Sequence, residues 1–330
     1  MSSNIPTGDP VTDTMTKVFD WLGKQIGQVL PRPAPAAPAP TEMTDEQLLH
    51  AIHDVGAELL NSLAPVLHRS FAGDAAHGDP RFPHGMPTSV RAHTLMLVAQ
   101  AHDAFGLSVS GLGKHATAAA LGPIRNIAET LALARWLLES SDDDVRRARA
   151  YGLTLDAVDQ YRKVVRMLER SPETRQLAPR LAAAEKQMRH NLTRLAEQDG
   201  ITPEARPAKL SRLVGQYVPE LGSMAYALLF SAGVHPGAAR GYLFYGRPGT
   251  GIVDYDFKGM HYQRAYWIAQ SIKLHLGLCQ VVAPELGWPE WDAIAEKTNG
   301  ELLPLAEEAQ RRFSEPLLQA MASASDPHRT

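Results

Sequence analysis

The sequence is short of the residues and runs on which several classes of protein depend. It contains 330 residues and a single cysteine, Cys279, so neither an internal disulfide nor a zinc site built from cysteine ligands is possible. No stretch approaches the roughly 18 consecutive apolar residues of a membrane-spanning helix. The N-terminus lacks the basic start and apolar core of a secretory signal. These absences favour a cytoplasmic protein without a transmembrane segment.

A strong charge of either sign is also missing, because the formal net charge at pH 7 is −3. Binding to nucleic acid depends mainly on clustered Lys and Arg, so the chain as a whole carries no strong nucleic-acid signal, although a local basic face remains open. The hydrophobic fraction of 44% and the charged fraction of 21% are ordinary for a globular chain. The composition therefore predicts a folded domain rather than a disordered chain.

What the sequence does contain is helical periodicity along most of its length. Residues 1–30 predict an amphipathic helix that docks on the chain's own body or on a partner, with a membrane-surface anchor as the alternative. Residues 31–43 form a Pro/Ala-rich linker, residues 44–322 a helical-bundle domain, and residues 323–330 a disordered tail.

Start signals and apolar spacing divide the domain into helices. Thr44 and Ser141 are each predicted to cap a helix with an acidic first turn. The predicted helices run from about 44 to 67, 87 to 105, 114 to 139, 141 to 170, 172 to 198, 203 to 217, 220 to 234, 258 to 283 and 289 to 322. The third, apolar on most of its circumference, is expected to be central and buried.

Aromatic and β-branched residues flank the sequence RPGTG and predict a short β-hairpin at 242–257. The predicted fold is thus all-α, a multi-helix bundle with a short β-hairpin insertion near 242–257 and an N-terminal amphipathic helix on a Pro/Ala linker.

The sequence contains no complete motif for binding a metal ion or a phosphate group. His50 and His53 lie three residues apart, but residue 47 is Gln where the Glu-x-x-His pair of a di-iron bundle needs Glu. The glycine-rich GRPGTG lacks the Gly-Lys-Ser/Thr ending of a phosphate-binding loop. Neither a metal nor another cofactor is therefore predicted.

Arg125 and Glu129 form the most unusual charged pair. They lie four residues apart on a helix that is apolar nearly all round, so their shared face is expected to be partly desolvated. Such a pair usually satisfies other polar groups or a ligand, because desolvation otherwise costs more than the attraction returns. A structural role is favoured over ligand binding, and both remain open.

The stretch LLFSAGVHPGAARG places His235 directly before Pro236, which predicts a helix end at the histidine. Helix capping by His235 is the favoured interpretation, since a protonated ring suits the negative end of a helix dipole. Ser231 lies one turn earlier and makes a Ser/His hydrolase conceivable, but no nucleophile elbow and no third catalytic member are evident.

Several of these features together resemble a poorly characterised bacterial family of all-helical proteins that is loosely related to the HEPN superfamily. The matching residues within about 90–240 are Arg125 and Glu129, the apolar run to Leu138, Arg149, Tyr151, Tyr226, Ser231, His235 and Pro236. The resemblance implies a bundle in which the Arg/Glu helix and the Ser/His helix end are neighbours and line one polar cavity. Many HEPN proteins are ribonucleases or nucleotide binders with an Arg-x4-6-His motif, and this chain has no arginine followed by histidine at that spacing.

The expected function is that of a non-enzymatic or degenerate binding module for a small ligand, a nucleotide or a protein partner. Its expected pocket consists of Arg125, Glu129, Tyr226, Ser231 and His235. The hairpin aromatics Tyr242, Tyr245 and Tyr255 are the expected lid. A hydrolytic enzyme, either a HEPN-like ribonuclease or a Ser/His hydrolase, is the first alternative, and a membrane-tethered interaction protein is the second. A homo-oligomer is compatible with each, and the sequence identifies no catalytic residue.

Overall fold

A computed structural model describes residues 39–73, 88–113, 117–207, 209–222, 226, 229, 245–246, 253–254 and 261–324. Its contacts divide the chain into two units, Met1–Met43 and Thr44–Thr330. The described part of the first unit contains one 3-10 helix, Pro40–Glu42, closed by a hydrogen bond from the Met43 N–H to the Pro40 carbonyl. The predicted amphipathic helix of residues 1–30 lies outside the described residues.

The described part of the second unit contains eight α-helices, which confirms the predicted all-α fold. They are α1 (Asp45–Ala72), α2 (Val90–Gly113), α3 (Thr117–Leu138), α4 (Asp143–Arg170), α5 (Ala178–Gln198), α6 (Leu210–Tyr217), α7 (His261–Leu286) and α8 (Trp291–Ala324). A short 3-10 helix, Pro219–Leu221, follows α6. The last helix ends at Ala324, two residues into the predicted tail.

Thr44 begins α1 as the sequence predicts. The Gln47 N–H donates to the Thr44 hydroxyl at 3.2 Å, and the Thr44 N–H donates to the Gln47 side-chain carbonyl at 2.8 Å. This reciprocal pairing satisfies two donors that a helix start otherwise leaves unpaired. The helix continues through Pro65 to Ala72.

The core of the unit lies around α3 and α7. Helix α7 packs against α1, α2, α3 and α8, while α3 packs against α2, α6 and α7. The predicted burial of the third helix is confirmed, because most of its described apolar residues are buried. Those with no exposed surface are Ile124, Ile127, Ala128, Leu131, Ala132, Ala134 and Leu137.

Helices α4 and α5 form an antiparallel pair. Helix α5 packs chiefly against α4, and the two share a small core of their own. Its members are Tyr151, Val158, Met188, Leu192, Leu195, Ala196 and Ile201. The first half of α4 is also attached to the bundle, for example through a hydrogen bond between His93 and Thr154 at 2.8 Å. We refer to residues 157–198 as the arm.

Two predicted starts in this region are wrong, one by a single residue and the other by six. Asp142, not Ser141, caps α4, because its carboxylate accepts a hydrogen bond from the Asp144 N–H at 2.8 Å. Helix α5 begins at Ala178 rather than at 172, since residues 172–177 form turns. In these turns the Thr174 hydroxyl donates to the Leu168 carbonyl at the end of α4, so a local side-chain bond competes successfully with an earlier helix start.

The predicted helix at 203–217 and the start of the one at 220–234 are also corrected; within the latter, Tyr226 and Leu229 are described and both are helical. Residues 201–207 are not helical, because the Glu204 N–H donates to the Ala148 carbonyl of α4 at 2.9 Å. Only Leu210–Tyr217 forms α6. Further on, Gly222 has a φ of 74° and ends the 3-10 helix at Leu221, in a conformation that favours glycine.

Strand structure among the described residues is limited to Tyr245–Gly246 and Val253–Asp254. These pair antiparallel, with Tyr245 opposite Asp254 and Gly246 opposite Val253. Two residue pairs are too few to support the predicted insertion over 242–257, which remains a prediction. None of the described helices combines the length and the apolar character needed to cross a bilayer.

Candidate functional site

Helix α3 presents Arg125 and Glu129 on one face, one turn apart. The Arg125 Nε donates to the Glu129 Oε1 at 2.7 Å. Their side chains retain 20% and 15% of their exposure, because the helix is enclosed on its other faces. The spacing alone was enough to predict this pair, since residues four apart on a helix are neighbours.

Tyr226 completes a three-residue cluster with them. Its hydroxyl donates to the same Glu129 Oε1 at 2.9 Å, across 97 residues of sequence. One carboxylate oxygen therefore accepts two hydrogen bonds, one of them from a cation. We call Arg125, Glu129 and Tyr226 the polar cluster.

Burial and pairing determine how the polar cluster ionises. Burial, with the nearby Glu129 carboxylate and the hydrogen bond to it, raises the pKa of Tyr226 to about 12. Burial alone would lower the pKa of Arg125, but the hydrogen bond and charge of Glu129 outweigh it and raise that pKa. At neutral pH Tyr226 is thus a hydrogen-bond donor and Arg125 a fixed cation.

Two members of the polar cluster, Arg125 and Tyr226, can hold a polar group but cannot take a proton from one. A phenol that stays protonated and a guanidinium that stays charged cannot act as a general base at neutral pH. Among the described residues, neither Arg125 nor Tyr226 donates a hydrogen bond to the second carboxylate oxygen of Glu129. That oxygen can accept an N–H or O–H group from a bound molecule.

Beside the polar cluster, a chain of neutral polar groups joins α2 and α3. The Gln100 side-chain N–H donates to the Asn126 carbonyl oxygen at 3.0 Å, and the Thr130 hydroxyl approaches the same oxygen at 3.4 Å. These residues were not singled out in the sequence, where isolated Asn, Gln and Thr give no signal of their own.

Arg149 and Tyr151, which belong to the resemblance, make structural contacts. Arg149 donates to the Trp136 carbonyl at the end of α3 and lies 5.3 Å from the centroid of the Trp136 ring. Tyr151 is buried in the core shared by α4 and α5, and its hydroxyl donates to Asp199 at 2.7 Å. Through these contacts both side chains hold elements together.

The remaining predicted site residues lie outside what the structure describes. Ser231, His235, Tyr242 and Tyr255 are not among the described residues, and Tyr245 is described only through its backbone. Their proximity to the polar cluster stays a prediction.

In the described parts of the chain, no three or more His, Cys, Asp or Glu side chains group as metal ligands would. Of the two histidines considered in the sequence, His53 makes a contact of 3.6 Å with Asp54. The ring of His53 also lies against Gly113 at the end of α2, where a side chain would overlap it.

A buried histidine pair between α2 and α7 was missed in the sequence. His102 Nδ1 and His275 Nε2 lie 3.4 Å apart, the His275 ring stacks on Phe105 at 4.6 Å, and Cys279 Sγ lies 3.9 Å from His275 Nε2. Burial lowers the pKa of His102 to about 4 and that of His275 well below its ordinary value. It also raises the pKa of Cys279, so the thiol is not a nucleophile.

Arg264 is a second buried polar residue that the sequence did not reveal. It is 2% exposed, and it donates to the Leu112 carbonyl at 2.6 Å and the Gly113 carbonyl at 3.1 Å. A cation here satisfies carbonyl groups that the end of α2 leaves without intrahelical partners. The only available signal is an arginine inside the apolar run of α7.

Comparisons of the chain with models of protein families, with curated proteins and with solved structures found no match. A function is therefore inferred from the chemistry of the chain's own residues.

Proposed function

We propose that this chain is a helical-bundle binding module, without catalytic activity of its own, for a small neutral ligand rich in N–H or O–H groups. Nucleobases and nucleosides belong to this class. The polar cluster would hold the ligand, with Ser231 and His235 as further predicted contributors and Tyr242, Tyr245 and Tyr255 as a predicted lid. We place the module in the cytoplasm, in keeping with its single cysteine.

The observation that carries the proposal is the double hydrogen bond on Glu129 Oε1. A partly buried ion pair rarely stabilises a fold more than apolar residues of the same size would, because both charges must be desolvated. Here a third side chain, Tyr226, is brought from a distant segment to the same oxygen. This arrangement orients the carboxylate firmly, as a binding site requires.

Charge balance supports a neutral ligand. The guanidinium of Arg125 already compensates the Glu129 carboxylate, so neither a cation nor an anion would find an uncompensated partner in the polar cluster. A carboxylate can only accept hydrogen bonds, which selects a ligand that presents donors. Nucleobase edges present such N–H groups, and the base is the neutral part of the nucleotides that the HEPN resemblance implies as ligands.

The hydrolytic alternative, and the alternative of a membrane tether formed by residues 1–30, gain no specific support from the described residues. The first depends on Ser231 and His235, and the second on residues 1–30. All of these lie outside the described residues, so both alternatives remain predictions.

The proposal is tested with Glu129→Gln, which keeps the size of the side chain and removes its charge. Binding of a panel of nucleosides, nucleotides and polyols is measured by calorimetry, together with the thermal unfolding of each variant. We expect at least one nucleoside to bind, and Glu129→Gln to weaken that binding about 10- to 100-fold, the loss typical of a hydrogen bond to a charged group.

The matched control is Glu58→Gln, which removes another ion-paired carboxylate, on α1. It should bind the ligand as the wild type does. If no member of the panel binds, or if Glu129→Gln binds normally while its unfolding temperature falls, the polar cluster is structural and the proposal is wrong. If Glu129→Gln does not fold, ligand binding is measured with Tyr226→Phe instead, which removes one of the two hydrogen bonds to the same carboxylate oxygen.

A further inference from the structure

The arm leaves one side of α4 without a protein neighbour among the described helices. Val165 is 3% exposed and faces the interior of the arm. The helical repeat of 3.6 residues per turn places Lys163, Val164, Arg166, Met167 and Arg170 on a face centred opposite it. All five are exposed, and we call them the arm surface.

The part of the arm where α4 ends and α5 begins is basic, in a chain that is slightly acidic overall. Residues 162–180 contain six Lys or Arg and two Glu, whereas the chain has a formal net charge of −3. The local basic face that the overall charge left open is therefore present here.

The cations of the arm surface differ from their neighbours in how they are paired. Arg162 and Arg189 both bind the buried Glu185, at 2.9 Å and 3.2 Å. By contrast, no described carboxylate lies within ion-pair distance of Lys163, Arg166 or Arg170. Lys163 donates instead to the neutral Gln160 at 3.1 Å. Three cations on one face thus point to an anionic partner.

Large apolar side chains lie among these cations on the arm surface. Met167 is 60% exposed and Val164 is 44% exposed, and Leu177 at the start of α5 is 48% exposed. Such exposure is unfavourable in water and becomes favourable when the side chains enter an apolar environment. The partner must therefore offer an apolar layer as well as negative charge.

From this combination we infer that the arm surface binds the surface of an anionic lipid bilayer. Lys163, Arg166 and Arg170 contact the lipid phosphates and carboxylates, while Val164 and Met167 enter the boundary between headgroups and acyl chains. A nucleic acid would pair with the cations but would leave the apolar side chains in water. The arm surface also has no aromatic residue on which bases could stack, because Tyr161 packs on the core of the arm. This inference is independent of the proposed ligand site.

The test uses the full chain and vesicles of phosphatidylcholine with and without phosphatidylserine, with binding measured by co-sedimentation. The wild type should bind the vesicles that contain phosphatidylserine, and less tightly as salt is added. The triple variant Lys163→Gln, Arg166→Gln, Arg170→Gln should bind on the order of 100-fold more weakly, since each cation contributes about fivefold. The double variant Val164→Thr, Met167→Gln should bind roughly tenfold more weakly.

The matched control is Lys209→Gln, Arg212→Gln, Lys273→Gln, which changes the net charge equally at three exposed cations outside the arm. It should bind like the wild type, and circular dichroism should show that every variant is folded. The inference is overturned if the wild type does not prefer phosphatidylserine, if the arm triple variant binds as the control does, or if the chain binds duplex or single-stranded nucleic acid but not the vesicles.

Discussion

Gly152 lies where residues 201–207 run along α4, and a Cβ atom at this position would overlap the carbonyl oxygen of Glu204. The neighbouring Glu204 N–H is bound to the Ala148 carbonyl of the same helix. Glycine is usually unfavourable inside a helix. Here it is required, because the backbone of another segment occupies the space of a side chain.

Gly152→Ala should therefore lower the free energy of unfolding by about 2–3 kcal/mol, since the overlap is with backbone and cannot be relieved by a rotamer change. Urea denaturation followed by circular dichroism measures the effect. Gly215→Ala is the control, because among the described residues no atom beyond its own helix backbone lies within 4 Å of a Cβ there. It should stabilise α6 by up to about 1 kcal/mol. If both substitutions changed the free energy of unfolding equally, the close approach of the Glu204 backbone to Gly152 would be contradicted.

At the scale of elements, buried polar contacts decide how helices are joined. The buried carboxylate of Glu185 on α5 binds Arg162 of α4 as well as Arg189. Burial would raise the pKa of Glu185, but the hydrogen bonds from the two arginines outweigh it and hold that pKa below its ordinary value. The stabilisation is present at neutral pH and is lost as the pH falls below the ordinary range of a carboxyl group.

Glu185→Gln should lower the free energy of unfolding by about 1–2 kcal/mol and speed amide hydrogen exchange in α5, because two charge-assisted hydrogen bonds become weaker. Glu197→Gln, at an exposed position of the same helix, should change neither quantity measurably. If both variants exchange like the wild type, the ion pairs do not hold the arm together.

The α2–α7 interface predicts a loss of stability in mild acid. The pKa of His102 is about 4 in the folded chain, below its ordinary 6.5, because the ring is buried. Its described ring contact is His275, which in turn contacts Phe105 and Cys279. Between these two pH values the unfolded chain binds a proton that the folded chain does not. The free energy of unfolding therefore falls as the pH decreases through this window, by about 3 kcal/mol for His102 at its lower end.

Urea denaturation at several pH values from about 7 down to about 5 tests this, a range chosen to lie above the ordinary titration of carboxyl groups. Whatever its effect at neutral pH, His102→Gln should make the dependence of stability on pH less steep without abolishing it, because burial also lowers the pKa of His275. The exposed His190 provides the control, and His190→Gln should leave the slope unchanged. A slope that persists in His102→Gln at its full value would show that another group is responsible.

At the scale of the whole molecule, the helices predicted most accurately are those with strong local signals. Thr44 with its acidic first turn marked the start of α1, and the nearly uniform apolar character of residues 114–139 marked a buried helix. The predicted helix at 203–217 was wrong in its first half. The Glu204 N–H of that half bonds to α4 instead of to a partner within a helix, and a distant backbone partner leaves no trace in local periodicity.

In the candidate site, too, local contacts were predicted from the sequence and contacts between distant segments were not. Spacing along one helix was enough to predict that Arg125 and Glu129 are paired, and the resemblance pointed to Tyr226. That the tyrosine hydroxyl meets the same oxygen as the arginine depends on how distant segments pack. His102, His275 and Arg264 were missed, because a polar residue within an apolar helix gives no sign of which partner it meets.

The sequence by itself determined the helical class of the described fold, the start of α1, the burial of α3 and the Arg125–Glu129 pair. Each of these depends on interactions within a few residues, or on the average polarity of a helix face. Only the tertiary structure decided that Gly152 makes room for Glu204, that His102 meets His275, and that the basic face of α4 remains exposed. These depend on which helix faces meet, and a face is buried or exposed only once its neighbours are in place.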